Sequence, residues 1–181
     1  MKKLLKMNSL DSKYFYSGFS LQNEQELFSD YLTQNNYTIA GFSYGAQKAF
    51  EYALNTNDRI DKIQLFSPAF FQCKDKKYKR MQLMFFKKDA VSYCNSFLSN
   101  CTSPNDVNLL KFFKQGAYEQ LEELLYYEWN EEKLNKLISK NIQIEVFLGF
   151  EDKIIEAQEA KEFFKKYATV YFVKNVGHIL T

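Results

Sequence analysis

The chain has 181 residues, 46% hydrophobic and 25% charged, a balance that fits one globular unit with a real core and excludes an intrinsically disordered chain. A formal net charge of +2 is too small to mark the whole molecule as nucleic-acid binding, and no apolar run approaches the roughly 20 residues that span a bilayer. Cys73, Cys94 and Cys101 are odd in number and lack metal-ligand spacing with a histidine, so neither metal nor cofactor is expected, and reduced thiols in the cytoplasm are the simplest expectation.

In chain order, residues 1–13 are basic, and Lys6 interrupts Leu4 and Leu5, which suits a frayed leader rather than a signal peptide. Residues 13–19 (KYFYSGF) predict a short strand running into a turn at Gly18. Residues 24–34 carry Leu27, Tyr31 and Leu32 at helical spacing. A strand over 37–40 closes at Gly41, and 44–54 reads as a helix burying Ala46, Ala49, Phe50 and Ala53. Residues 62–66 (KIQLF) form a strand stopped by Ser67 and Pro68. The pattern then stays helical over approximately 70–140, beginning with the basic amphipathic stretch KDKKYKRMQLMFFKKD. Residues 143–148 (QIEVFL) are the strongest strand, followed by a helix over 157–167 and a last strand over 169–173.

Strands alternating with helices imply an α/β fold: a mostly parallel sheet of about five strands, within one domain over 1–181. The helical block between the third and fourth strands is too long for one crossover. It is expected to cap the carboxyl edge of the sheet, where such folds place their ligands.

Gly41-Phe42-Ser43-Tyr44-Gly45 is a G-x-S-x-G pentapeptide between an expected strand and an expected helix, the context of a nucleophile elbow. The competing reading is a small-residue turn in which Ser43 caps the helix. His178 is the only histidine and follows Gly177, past the last strand, in the place a general base would occupy. Asp152, three residues after Gly149, is the expected acid, with Glu151 the alternative. The order Ser, Asp, His along the chain is that of α/β-hydrolases, so a reduced form of that fold is expected. An oxyanion hole needs two backbone N–H groups. Tyr44, directly after the nucleophile, is expected to supply one, and Phe19, after the Gly18 turn, the other. Gly18, Gly41, Gly45, Gly149 and Gly177 all occupy turns this reading requires, and Gly116 alone has no assigned part. Gly18, Phe85 and Phe86 are candidate substrate contacts, and Phe19 and Tyr44 could line the same tunnel, although core packing accounts for rings in so aromatic a chain.

The segments YSGFSLQNE, GFSYGAQKAFEYA, LFSP, KRMQLMFFKKD and IEVFLGFEDKI, with His178, together resemble the BioV-type pimeloyl-acyl-carrier-protein methyl ester esterases of bacterial biotin synthesis. The resemblance runs from about Tyr16 to His178. It implies hydrolysis of the methyl ester on the distal carboxyl of a pimeloyl chain carried by acyl carrier protein, releasing methanol, with Ser43 as nucleophile, Asp152 as acid and His178 as base. Neither the opening strands of larger α/β-hydrolases nor a closing helix is expected within these residues. A general short-chain esterase, a thioesterase with the same triad, and an idle carrier-binding module are the rival readings. Lys76, Lys77, Lys79 and Arg80, with Lys74 nearby, form a charge run that a solvated helix face explains as well as a docking surface for an acidic carrier protein does. Neither nucleic acid nor membrane is expected as a partner.

Overall fold

The computed structural model describes residues 14–181, so the expected leader and Lys13 lie outside the described residues. Strands β1 (Phe15–Tyr16), β2 (Thr38–Phe42), β3 (Lys62–Phe66), β4 (Gln143–Gly149) and β5 (Thr169–Val173) pair side by side in chain order, and every pair is parallel. β2 is buried throughout, and β3 and β4 are buried except at their first residues. Continuous apolar strands of this kind belong to parallel sheets covered on both faces.

One face carries Ile39, Ile63, Leu65, Ile144, Val146 and Leu148, packed under helices α1 (Tyr44–Asn55), α5 (Glu131–Ser139) and α6 (Ala157–Phe164). Trp129 wedges between Phe50 and Phe164 there and donates its indole N–H to the Ala69 carbonyl at 2.9 Å. On the other face the register aligns Phe42, Phe66, Phe147 and Tyr171 across four strands. Phe28 stacks on Phe66 with ring centroids 4.7 Å apart, and Phe112, Ile179 and Leu180 join the same cluster.

The helix expected over 24–34 is instead a 3-10 turn, Glu24–Phe28. Gln64 of β3 explains the early stop, because its side-chain amide accepts the Thr33 N–H at 2.8 Å and donates to the Tyr31 carbonyl at 3.0 Å. These bonds draw the backbone away from helical partners. β2 runs two residues past the expected end, since Gly41 and Phe42 remain paired with Leu65 and Phe66. α6 ends at Phe164, short of the expected Tyr167.

The helical block divides in two. Helices α2 (Lys76–Lys88), α3 (Ala90–Thr102) and α4 (Tyr118–Tyr126) form the cap, whereas α5 returns to pack on α1 and β4. Asp75 caps α2 by accepting the Tyr78 N–H at 2.7 Å, and Asp89 caps α3 by accepting the Ser92 N–H at 3.0 Å. Residues 103–117 are irregular except for a short turn, Leu110–Phe112. Among the described residues no helix is long and apolar enough to cross a membrane.

Candidate active site

Parallel strands deliver their carboxyl ends to one edge, and the residues that follow β1, β2, β4 and β5 meet there. Ser43 follows β2 with φ 53° and ψ −112°, a conformation costly for any residue with a side chain. Three backbone bonds hold it: its N–H donates to Phe66 at 2.9 Å, and its carbonyl accepts from Ala46 and Ala69, each at 3.1 Å. The next turn needs glycine, because a Cβ on Gly45 would stand 1.9 Å from the Tyr16 carbonyl oxygen. That close approach seats the start of α1 against the end of β1.

The strained turn aims Ser43 Oγ at His178 Nε2, 2.9 Å away, while His178 Nδ1 lies 2.6 Å from Asp152 Oδ2. The tautomer that satisfies both contacts carries its proton on Nδ1 and leaves Nε2 to accept from the serine hydroxyl. The second Asp152 oxygen accepts the N–H groups of Ile154 and Ile155 at 2.7 and 3.1 Å, which locks the carboxylate's orientation. The side chains of His178 and Asp152 are both fully buried, and Ser43 is buried too. Glu151, the alternative acid, points to solvent. Cys101 is buried beside Asp152, and burial, reinforced by that carboxylate, pushes its thiol well above the usual range, so it stays neutral. Sequence reasoning missed this neighbour because nothing in the spacing links α3 to the strand that precedes Asp152.

Gly18 lies against the ring and carbonyl of Phe42, which brings Phe19 over the elbow. Neither the Phe19 nor the Tyr44 backbone N–H has a hydrogen-bond partner among the described residues. Both residues, with Gly18, Ser20 and Lys114, line a cavity of about 300 Å³. The irregular segment from the cap straps this loop down: Gln22 N–H donates to Phe112 at 2.8 Å, Lys114 N–H to the Ser20 carbonyl at 3.1 Å, and Gly116 N–H to Ser20 Oγ at 3.2 Å. Gly116 thereby gains a part, since a Cβ there would stand 2.4 Å from the Phe19 ring.

A second cavity, about 410 Å³, opens between α2 and α3. Phe71, Phe97, Leu121, Leu124 and Leu125 supply apolar lining, and Gln82, Asp89, Ser92, Ser96 and Asn100 a polar stripe. Ile154, which donates to Asp152, belongs to its wall. Phe85 lines this cavity. Phe86 does not: it is buried in the core with its ring centroid 6.1 Å from that of Phe19. Tyr44 is likewise held in structure, its hydroxyl donating to Glu123 at 2.5 Å. Lys48 and that hydroxyl keep the Glu123 carboxyl below its usual range, tying α1 to the cap.

Lys76, Lys77 and Arg80 are exposed on α2. Lys79 is not part of that surface; it is buried, with its ammonium 5.3 Å from the Tyr126 ring. Residues 79, 83 and 86 share one helix face, and Leu83 and Phe86 turn that face inward. A run of charges counted along the sequence mixes two faces of one helix.

No protein-family model and no curated protein matches the sequence. Solved structures resemble it in fold. Naproxen esterase (carboxylesterase NP) from Bacillus subtilis superposes with a TM-score of 0.54 at 18% identity, over 79% of this chain and 53% of that one. MenH from S. aureus gives 0.56 at 14% identity, covering 91% of this chain and 85% of that one. BioG from Haemophilus influenzae gives 0.55 at 10% identity, over 91% and 87% of the two chains. The chain thus spans about half the length of the Bacillus esterase and most of the length of the other two. The likeness is one of fold.

Proposed function

We propose that this chain, whose fold is that of a reduced α/β-hydrolase, is a serine carboxylesterase. The observation that carries the reading is the continuous contact from Ser43 Oγ through the His178 ring to Asp152, on a strained turn at the carboxyl edge of the sheet. In the first half-reaction Ser43 Oγ attacks the ester carbonyl carbon while His178 Nε2 takes the hydroxyl proton. Asp152 holds the imidazole and stabilises its positive charge. The N–H groups of Phe19 and Tyr44 face the carbonyl oxygen as it becomes negative. The bond to the alkoxy oxygen then breaks, and His178 returns the proton to the departing alcohol. Water repeats the sequence on the acyl-serine, freeing the acid and restoring Ser43.

The substrate we propose is the methyl ester of pimeloyl-acyl-carrier protein, cleaved to pimeloyl-acyl-carrier protein and methanol in biotin biosynthesis. Support comes from the segments that resemble the BioV-type esterases, which extend well beyond the triad motif. A cavity with apolar and polar walls between α2 and α3 adjoins the Asp152 loop through Ile154, although no triad or oxyanion residue lines it, and its walls suit an acyl chain bearing a polar end. Lys76, Lys77 and Arg80 lie on the outer side of a helix that lines this cavity, where an acidic carrier could dock. Mass spectrometry of pimeloyl-acyl-carrier-protein methyl ester after incubation tests the reading. Loss of the methyl group with the thioester intact is the expected result. Release of the acyl chain from the carrier would instead identify a thioesterase, and an unchanged substrate would reject both.

A further inference from the structure

Glu24 is a buried carboxyl that this mechanism leaves unused, and unlike Glu145 it has no cation beside it among the described residues. It is fully buried at the start of the 3-10 turn, beneath the loop that follows β1. Its Oε1 accepts the Gly18 N–H at 2.6 Å, whereas Oε2 is buried with no hydrogen-bond partner among the described residues. An unpartnered carboxyl oxygen is costly to bury, and an apolar side chain of similar volume would avoid that cost, so packing does not explain the residue.

What Glu24 holds does explain it. The Gly18 carbonyl accepts the Leu21 N–H at 3.2 Å, and a Cβ on Gly18 would stand 2.6 Å from the Phe42 ring. With its N–H taken by Glu24, Gly18 is restrained on three sides. The peptide joining Gly18 to Phe19 is planar and trans, so its carbonyl and its N–H point in opposite directions. Fixing the Gly18 carbonyl therefore aims the Phe19 N–H the other way, where it meets no acceptor among the described residues. The loop needs such ties, since Ser20 and Asn23 sit at φ 59° and 58°. Burial also pushes the Glu24 carboxyl above its usual range.

We propose that Glu24 is the positioning residue of the oxyanion loop, its buried carboxyl clamping Gly18 so that the Phe19 N–H faces the reacting oxygen. The proposal rests on the reading of Ser43 and Phe19 given above. The test compares the parent, Ser43→Ala, Glu24→Gln and Glu24→Leu in kcat and KM for a p-nitrophenyl ester, in fluorophosphonate labelling and in thermal melting. Glu24→Leu removes the acceptor and should lower kcat on the order of 10- to 100-fold with KM nearly unchanged, a smaller loss than the 100- to 1,000-fold that follows outright removal of an oxyanion donor. Glu24→Gln keeps an Oε1 acceptor for the Gly18 N–H and should restore kcat to within a few-fold. Should the leucine variant melt early, Glu24→Met, unbranched and of similar length, takes its place. Parent-like kcat in the apolar variants, or equal loss in Glu24→Gln, would overturn the proposal while labelling of the parent still upholds Ser43. Absence of labelling in the parent would overturn the nucleophile reading and the clamp with it.

Discussion

Ser43, His178 and Asp152 come from three loops and touch in one line, each contact at hydrogen-bond distance and fully shielded from solvent. Ser43→Ala should abolish both ester hydrolysis and fluorophosphonate labelling while thermal melting stays near the parent's, because the alteration removes one oxygen and no backbone contact. Turnover at the parent rate would point to another nucleophile. Asp152→Asn keeps an acceptor for Ile154 and Ile155 but presents a donor to Nδ1, which favours the wrong tautomer. In a serine protease the same change costs about 10⁴-fold in kcat, and a loss of two or more orders is expected here. Glu24 gives a pH signature. Its carboxyl is raised in the folded state, so the folded chain binds that proton more tightly than the unfolded one, and this contribution to stability is lost as pH rises above the ordinary carboxylate range. Urea unfolding across pH should show a flatter decline for Glu24→Gln than for the parent; parallel curves would show that the shift is not expressed.

At the scale of elements, the decisive contact is the seating of α1 against β1 at Gly45. A methyl group there meets backbone atoms of Tyr16 and Ser17, which cannot rotate away as a side chain could. Gly45→Ala should therefore destabilise the chain by about 1–3 kcal/mol, as overpacking does elsewhere, and slow fluorophosphonate labelling by displacing Ser43. Denaturant melts with labelling kinetics check both effects, and a parent-like variant would show that β1 gives way freely. The strands and α1 were legible in the sequence because period and punctuation agree with burial. The turn at Glu24–Phe28 was not, since the groups that end it belong to Gln64, distant in sequence. The break between α2 and α3 needs only Asp89, which caps α3, and the sequence reading set no boundary inside the helical block. Lys79 was misplaced for a related reason: a helix face is decided by what packs on it, here Leu83 and Phe86 pointing inward together.

For the whole molecule, the exposed cations of α2 lie on the cap helix whose Tyr78, Gln82 and Phe85 line the larger cavity. Reversing Lys76, Lys77 and Arg80 to Glu should raise KM for the carrier-bound ester and spare a small free methyl ester. Added salt should weaken the parent in the same way, with screening over about 10 Å at 0.1 M. Steady-state kinetics on both substrates decide it: equal effects on both, or none, would reject this face as the docking surface. Lys79→Glu belongs to a different class, since it puts an acid in a buried place and should lower the melting temperature instead. By itself the sequence determined the strand order's raw material, the elbow at Ser43, and the placing of Asp152 and His178 after the last two strands. Those signals are local, written in glycine spacing and apolar periodicity. Only the tertiary structure decided which side chains turn inward, that Phe86 supports Phe19 while Phe85 lines a cavity, and that Glu24 holds Gly18. Each of these depends on atoms that the chain brings together only when the sheet closes, and a buried hydrogen bond leaves no periodic mark along the residues that make it.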